Sequence, residues 1–392
     1  MQPANRMKVF GEGVFARLAA MKKEKLAAGE SIIDLSIGAP NIPPPAHVME
    51  VMSREVLKPE NYLYAINDTT ELRQAVAAWY ARRYEVKLDP ATEICSLLGS
   101  QDGLGHIALS LLDEGDTMLV PDPCYPVFAD GPKLAGVRLV YMPMKRENKY
   151  LIDFAAIDEE DAHKAKFMLV SYPNNPTAAI APLSWYEELI KFAKKYDIAV
   201  LHDNAYSELV FDGVTCGSFL SIPGAKDVGI EFNSLSKTYG LAGARIGFCI
   251  GKAEIVKYLA TLKSNIDYGM FLPIQKAAIA AITGDQSCVA TTRAAYEERR
   301  DVLVKSFAEA GWKMDTPAGS MFAWAPIPAK YAAMENGSES FVIDMLNKSG
   351  VLVTPGSAFG PSGEGFVRMA LVQNPDALQE AANRLKQSGL FA

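Results

Sequence analysis

The chain has 392 residues, about half of them hydrophobic, which suits ~2–3 domains of ~100–200 residues with substantial cores. Lys and Arg number 39 against 46 Asp and Glu, giving a net charge of −7 without a basic cluster, so nucleic-acid binding is not expected. No apolar run reaches the ~18–20 residues of a membrane span, and residues 1–6 lack the apolar stretch of a secretion signal.

Residues 14–28 read as an amphipathic helix stopped by Gly29, and residues 32–38 as a short strand running into prolines. Helical signals return at 47–56. Residues 58–70 are polar and tyrosine-bearing, an exposed arm or loop, and 71–84 form a strong amphipathic helix. From 94 to 250 strands and helices alternate, with strands expected at 94–98, 117–120, 137–142, 167–172, 198–202, 228–232 and 246–250. Several are continuous apolar runs, the mark of strands covered on both faces, and the alternation implies an α/β unit with a mostly parallel sheet. After residue 284 the pattern becomes α+β: a helix over 292–310, a β-like stretch at 321–325, a helix at 338–348, strands at 351–354 and 366–371, and a last helix at 376–387. The division expected is therefore 1–50 packing with the small C-terminal unit, 51–284 as the large domain, and 285–392 as the small one.

The five cysteines, Cys95, Cys124, Cys216, Cys249 and Cys288, form no CxxC pair and suit a reduced, cytoplasmic setting. The four histidines include no i,i+4 pair, so no metal is expected.

The chemistry is concentrated in residues 234–247, Ser-Leu-Ser-Lys-Thr-Tyr-Gly-Leu-Ala-Gly-Ala-Arg-Ile-Gly. Lysine beside a buried sheet is costly unless paired, neutral or covalently used, so Lys237 reads as the carrier of a cofactor aldehyde in a Schiff base. Ser234, Ser236 and Arg245 supply donors for a phosphate. Other constellations sit where strands end. Residues 172–178, Tyr-Pro-Asn-Asn-Pro-Thr-Ala, place Asn175 where ligands of open α/β sheets bind, or form a plain Asn-Pro turn. Asp203 reads as the partner of a protonated ring nitrogen or as a helix cap, with Tyr206 three residues on. Residues 98–103, with Ser100 and Gln101, open a helix whose N–H groups favour phosphate. Tyr125 follows a proline turn and can stack on a flat ring or fill the core. Arg368 lies within an apolar strand and needs an anion, either a substrate carboxylate or a structural partner.

Taken together these motifs resemble the class I/II aminotransferases of pyridoxal-phosphate (PLP) fold type I over essentially the whole chain, and within them the LL-diaminopimelate/aspartate group. The resemblance implies an α/β fold with a large domain built on a mostly parallel seven-stranded sheet and a smaller α+β domain. It implies PLP as the cofactor, carried by the lysine of S-x-[SA]-K, Lys237. Phosphate binding falls on Ser234, Ser236, Arg245, Ser100 and Gln101; the ring nitrogen on Asp203; the phenolic oxygen on Asn175 and Tyr206; the ring face on Tyr125; the substrate carboxylate on Arg368, with Gly38, Tyr125 and Asn175 also at the substrate. Lys237, Asp203 and Tyr206 form the catalytic set. It further implies a homodimer in which Tyr64, with Tyr62 as the alternative, and Asn265 of Lys263-Ser264-Asn265-Ile266-Asp267-Tyr268-Gly269 serve the neighbouring site.

Three positions depart from the family pattern. Ala178 replaces the glycine of N-P-[ST]-G. Asp68 replaces a glycine ahead of Thr70-Glu71-Leu72-Arg73, with the spacing off by one. Gly13 stands where the plant-type diaminopimelate enzymes carry a substrate-contacting tyrosine. The expected activity is ping-pong transfer of an amino group between an L-amino acid and a 2-oxo acid, of the LL-diaminopimelate, aspartate, alanine or glutamate type. A C–S β-lyase on the same fold is the alternative. A PLP-binding regulator is disfavoured, because ~30 residues before Ile32 leave no room for a DNA-binding domain.

Overall fold

Alternating apolar runs and amphipathic helices build a sheet with helices on both faces. The computed structural model describes residues 1–10 and 14–391. In chain order the strands are β1 (Ile33–Asp34), β2 (Ile94–Leu97), β3 (Thr117–Asp122), β4 (Arg138–Pro143), β5 (Ala165–Ser171), β6 (Ala199–Asp203), β7 (Gly229–Ser234), β8 (Gly247–Gly251), β9 (Phe322–Pro326), β10 (Val351–Leu352), β11 (Thr354–Pro355) and β12 (Phe366–Ala370). The seven expected strands form one sheet in the order β2-β8-β7-β6-β5-β3-β4. Pairs within β4-β3-β5-β6-β7 are parallel, and β8 runs antiparallel to both β2 and β7.

Side chains alternate across the strands into two cores. Met168, Val170 and Val200 meet Val76, Trp79 and Leu189 on one face. Leu169, Leu201 and Phe232 meet Leu104, Ile107 and Leu259 on the other. Burial on both faces is why these strands read as unbroken apolar runs. A third core joins β9, β12 and the helices Ser287–Glu309, Gly337–Ser349 and Pro375–Gln387 with Leu18, Ile33 and Leu35 of the N-terminal segment. The N-terminal segment reaches this core through β1, which pairs in parallel with β10, Ile33 opposite Val351.

Several expectations are adjusted. The strand expected at 351–354 is two short ones: β10 pairs with β1, while β11 pairs with β12. Of residues 32–38 only Ile33–Asp34 is ladder, because the Ser36 carbonyl turns instead to Arg368 and Thr354. Helices Ala253–Ile266 and Leu272–Thr283 occupy a region for which no element was expected. The arm at 58–70 carries exposed Tyr62, Leu63 and Tyr64. Asp68 anchors it: its carboxylate accepts the Ser96 N–H at 2.8 Å and the Ser96 hydroxyl, satisfying a donor on the edge strand β2. A glycine at 68 offers neither bond. No helix among the described residues is long and apolar enough to cross a membrane.

Candidate active site

Because β8 alone is reversed, β2, β3, β5, β6 and β7 all end at the same edge of the sheet, and β8 begins there. Each of these ends delivers a polar residue to one cavity of about 330 Å³: Ser100 and Gln101 after β2, Tyr125 after β3, Asn175 after β5, Asp203 closing β6, Ser234 closing β7 with Ser236 and Lys237 after it, and Arg245 before β8. Tyr206 joins them from the turn after β6. The small sheet adds Arg368 from β12 and Phe322 from β9, and the segment after β1 adds Gly38. Carboxyl ends of parallel strands are where open α/β sheets hold ligands.

One end of the cavity is built for an anion. Gly99, at φ 80°, precedes the helix Ser100–Leu111, whose first N–H groups have no partner within the helix. A Cβ at Gly99 would lie 2.6 Å from Nη2 of Arg245, and one at Gly247 would lie 2.7 Å from the Ser100 nitrogen, so glycine allows both close approaches. Arg245 itself has φ 57°, an uncommon conformation for a residue other than glycine, held here by its Nη1 donating to the Ala242 carbonyl at 3.0 Å. Ser234 caps the short helix Leu235–Thr238 through the Ser236 N–H. Asp102, not singled out from the sequence, braces this loop. Its carboxylate accepts the Leu98 N–H at 2.8 Å and pairs with the buried Lys263 ammonium. The signal available was an acid in the first turn of a helix.

At the other end Arg368 is buried with neutral partners. Its Nη1 donates to Asn175 Oδ1 at 3.1 Å and its Nη2 to the Ser36 carbonyl at 2.8 Å, while Nε has no partner. The guanidinium lies over Phe322 and Phe359, 4.2 and 4.6 Å from the ring centres. Burial without an anion pulls it down to about 10. Phe322, which the sequence presents only as one apolar residue of a β-like stretch, therefore forms the floor under Arg368; it also meets Tyr206 edge-on at 5.8 Å.

Between the two ends stand Lys237 and Asp203. Lys237 Nζ donates to the Gly38 carbonyl at 3.0 Å. Burial, with help from Arg368 and Arg245, lowers it to about 8, so an appreciable fraction is the neutral, nucleophilic amine at neutral pH. Asp203 is buried; Oδ2 accepts the Ser171 hydroxyl at 3.5 Å, and Oδ1 has no partner. Burial pushes its carboxyl up to about 6, against the charge of His202, hydrogen bonds from the Ser171 hydroxyl and the Ala205 N–H, and the charge of Lys237. Tyr125 donates to Gln101 Oε1 at 2.9 Å. The turn carrying Asn175 is organised by Asn174, whose Oδ1 accepts the Thr177 N–H and hydroxyl; Ala178 adopts φ 62° there, the conformation glycine would supply without strain.

These residues fit PLP. The unpartnered Asp203 Oδ1 calls for a cationic N–H, the glycine-lined end calls for a dianion, and a neutralisable lysine stands between them. Tyr64 and Asn265 are exposed and lie away from this cavity; the Tyr64 ring is 6.1 Å from that of Tyr268, and Asn265 donates to the Thr261 carbonyl. Gly13 lies outside the described residues.

Comparison with known proteins agrees with this geometry. Residues 30–385 match the family described as aminotransferase class I and II. The chain is 44% identical over 388 residues to the LL-diaminopimelate aminotransferase of Moorella thermoacetica, covering 99% of this chain and 98% of that one. It is 41% identical to the glutamate-pyruvate aminotransferase AlaC of Escherichia coli, covering 95% and 90%. A solved structure, the probable N-succinyldiaminopimelate aminotransferase of Thermus thermophilus, superposes with a TM-score of 0.90 at 33% identity, covering 96% of this chain and 100% of that one.

Proposed function

Because the chain belongs to the class I and II aminotransferases, a PLP-dependent family, we propose that the cavity around Lys237 is where it moves an amino group between an L-amino acid and a 2-oxo acid. The observation that carries this is the convergence of a lysine lowered to about 8, an unpartnered buried carboxylate and a buried arginine without an anion in one cavity. The β-lyase alternative finds no support among these relatives, which are named as aminotransferases.

PLP, when bound, supplies an aldehyde carbon that accepts and returns the amino group and a ring that takes up electron density. Everything else falls to the chain. In this reading Ser100, Gln101, Ser234, Ser236 and Arg245 hold the phosphate, and Tyr125 covers the ring. The Asp203 carboxylate holds the ring nitrogen's proton in place, and Asn175 and Tyr206 hydrogen-bond the phenolic oxygen. Arg368 grips the substrate carboxylate, orienting Cα toward Lys237. Lys237, as the neutral amine, would take the proton from the substrate Cα and deliver it to the carbon that was the cofactor's aldehyde. Gly38 lets the segment after β1 close on the Phe322 ring, from which a Cβ would lie 2.6 Å, and so keeps its carbonyl within reach of Lys237.

For the amino donor the first reading is LL-diaminopimelate, after the names of relatives that cover the chain nearly end to end. A second is alanine. Among the described residues the cavity carries no cation besides Lys237, Arg245 and Arg368, and the wall beyond Gly38 is Ile37, Ala39 and Pro40, so the chain itself offers no second carboxylate grip. The test is a screen of donors against 2-oxoglutarate, pyruvate and oxaloacetate. Glutamate formed from 2-oxoglutarate is expected with at least one of the two donors. Pyruvate and ammonia released from cysteine-like substrates, with no glutamate formed, would overturn the transaminase reading in favour of the lyase.

A homodimer with shared sites is part of this proposal. Tyr62, Leu63, Tyr64 and Ile66 of the arm are exposed beside Ile266, Tyr268 and Phe271, an apolar surface of the kind that marks an interface. A cleft of about 780 Å³ between the arm and helix Ala253–Ile266 continues it. If Tyr64 serves the partner's site, inactive Lys237→Ala and Tyr64→Ala chains refolded together regain activity. Random pairing leaves one intact site in each mixed dimer, about a quarter of all sites. No recovery on mixing would show that Tyr64 acts within its own subunit. We also place the enzyme in the cytoplasm, where its five free cysteines would stay reduced.

A further inference from the structure

Asp122, the last residue of β3, is a buried carboxylate whose hydrogen-bond partners come from one distant loop. It accepts the Ser362 N–H at 3.1–3.2 Å and the Ser362 hydroxyl at 2.6 Å, across 240 residues of sequence. Burial raises its carboxyl above the ordinary range, and the Ser362 donors oppose that. Two residues on, the Cys124 N–H donates to the Phe359 carbonyl at 2.7 Å. Gly360 sits between the two attachment points at φ 124°; a Cβ there would lie 2.2 Å from Asp122 Oδ1, so only glycine lets the carboxylate seat.

Both ends of this junction lead into the active site. On the large-sheet side Tyr125 follows directly and reaches Gln101 of the phosphate loop. On the small-sheet side the loop 356–363 is folded tightly on itself, with Gly356 against the Gly363 carbonyl, and it carries Phe359. The Phe359 ring lies 4.6 Å from the Arg368 guanidinium carbon and 6.0 Å from the Trp324 ring. Arg368 has no carboxylate partner of its own, so its direction rests on Asn175, the Ser36 carbonyl and these rings.

We propose that Asp122 is a positioning residue for substrate binding. Its clasp on Ser362, with the Cys124–Phe359 bond, fixes loop 356–363 against the end of β3 and so sets the Arg368 guanidinium relative to Tyr125. The role rests on the reading of Arg368 as the carboxylate grip. A clasp of this kind acts on binding of the amino acid, which touches both sides of the junction. It leaves alone the cofactor phosphate, which touches only the large sheet.

The test uses the PLP-loaded enzyme and 2-methylalanine, which has the amine and carboxylate of a substrate but no Cα proton. Its dissociation constant is read from the change in the cofactor's visible absorption, and cofactor affinity is read separately by titrating PLP into stripped protein. Asp122→Asn keeps the shape and loses the charge. It is expected to weaken 2-methylalanine about tenfold, roughly 1.4 kcal/mol, with KM for substrates rising in parallel, kcat within about threefold and PLP affinity within about twofold. Ser362→Ala removes one of the bonds and is expected to weaken 2-methylalanine about threefold, while Ser362→Thr, which keeps the hydroxyl, stays near the parent; this pair carries the test should Asp122→Asn not fold. Unchanged 2-methylalanine binding in Ser362→Ala and in folded Asp122→Asn overturns the clasp. So does a parallel loss of PLP affinity, which would mark a general structural role. Arg368→Gln is the control. If it binds 2-methylalanine as tightly as the parent, the reading of Arg368 falls and the clasp with it; if it is weakened while the clasp variants are not, only the clasp falls.

Discussion

Lys237→Ala is expected to lose at least ~10⁴-fold in turnover while still binding PLP. Two proposed functions are removed at once, the amine that bonds to the cofactor and the base that moves the Cα proton, and base catalysis alone contributes ~10²–10⁴. The structure explains why this lysine is suited to both. Burial, then Arg368 and Arg245, bring it to about 8, so about a tenth is neutral at pH 7, against less than ~0.1% for a lysine at the ordinary ~10.4. The proposed phosphate donors Ser234, Ser236 and Arg245 and the Asp203 carboxylate are untouched by the substitution, so PLP affinity measured by absorbance titration is expected to persist. Lys237→Arg separates charge from proton transfer. Arginine keeps the positive charge but stays protonated, and it is expected to be as inactive as alanine. Turnover within tenfold of the parent in either variant would remove Lys237 from the reaction.

Six of the seven strands of the central sheet were legible because burial leaves unbroken apolar runs such as residues 167–172, whereas the edge strand β4 is largely exposed or half-buried. The direction of β8 was not, because an apolar run reads the same whichever way it points; yet that reversal is what brings Arg245 to the same edge as Ser100 and Lys237. Residues at and just after strand ends were legible, since Ser100, Asn175, Asp203 and Lys237 each sit at or within a few positions of a strand end. Pairings across long sequence separations were not. Phe322 lies under Arg368, Asp68 anchors the arm to Ser96, and Lys263 braces Asp102, but no local pattern distinguishes these residues from ordinary core or surface positions. Helix Ala253–Ile266, which carries Asn265, was missed for a related reason: its buried face, with Ile255, Val256 and Leu259, follows directly on a strand and lacks a strong cap.

In protein stripped of PLP, Asp203→Asn is expected to be more stable than the parent at pH 8 and no more stable at pH 4, although it loses about 10²–10³-fold in turnover, the usual scale for removing one preorganised electrostatic partner. The sign follows from the carboxyl's environment. Burial raises Asp203 to about 6 in the folded chain, whereas an unfolded aspartate ionises near ~3.9. The fold therefore holds its proton more tightly than the unfolded chain does. Its stability is complete below about pH 4, declines between about 4 and 6, and is lower by a constant amount above that. The gap between the folded and unfolded ionisation corresponds to roughly 3 kcal/mol. Asparagine keeps the shape and cannot ionise, so the two proteins diverge over that same interval, and thermal unfolding of the stripped proteins at pH 4 and pH 8 reads the difference. Adding PLP is expected to reverse the order at pH 8, because the carboxylate then gains the cationic N–H partner that its Oδ1 lacks. Equal unfolding temperatures for the two stripped proteins at pH 8 would mean that Asp203 is solvated or paired without PLP, and its role as the ring-nitrogen partner would lose its physical basis. The carboxylate whose Oδ1 has no partner in the stripped fold is the group whose attraction would hold the proton on the ring nitrogen once PLP is bound.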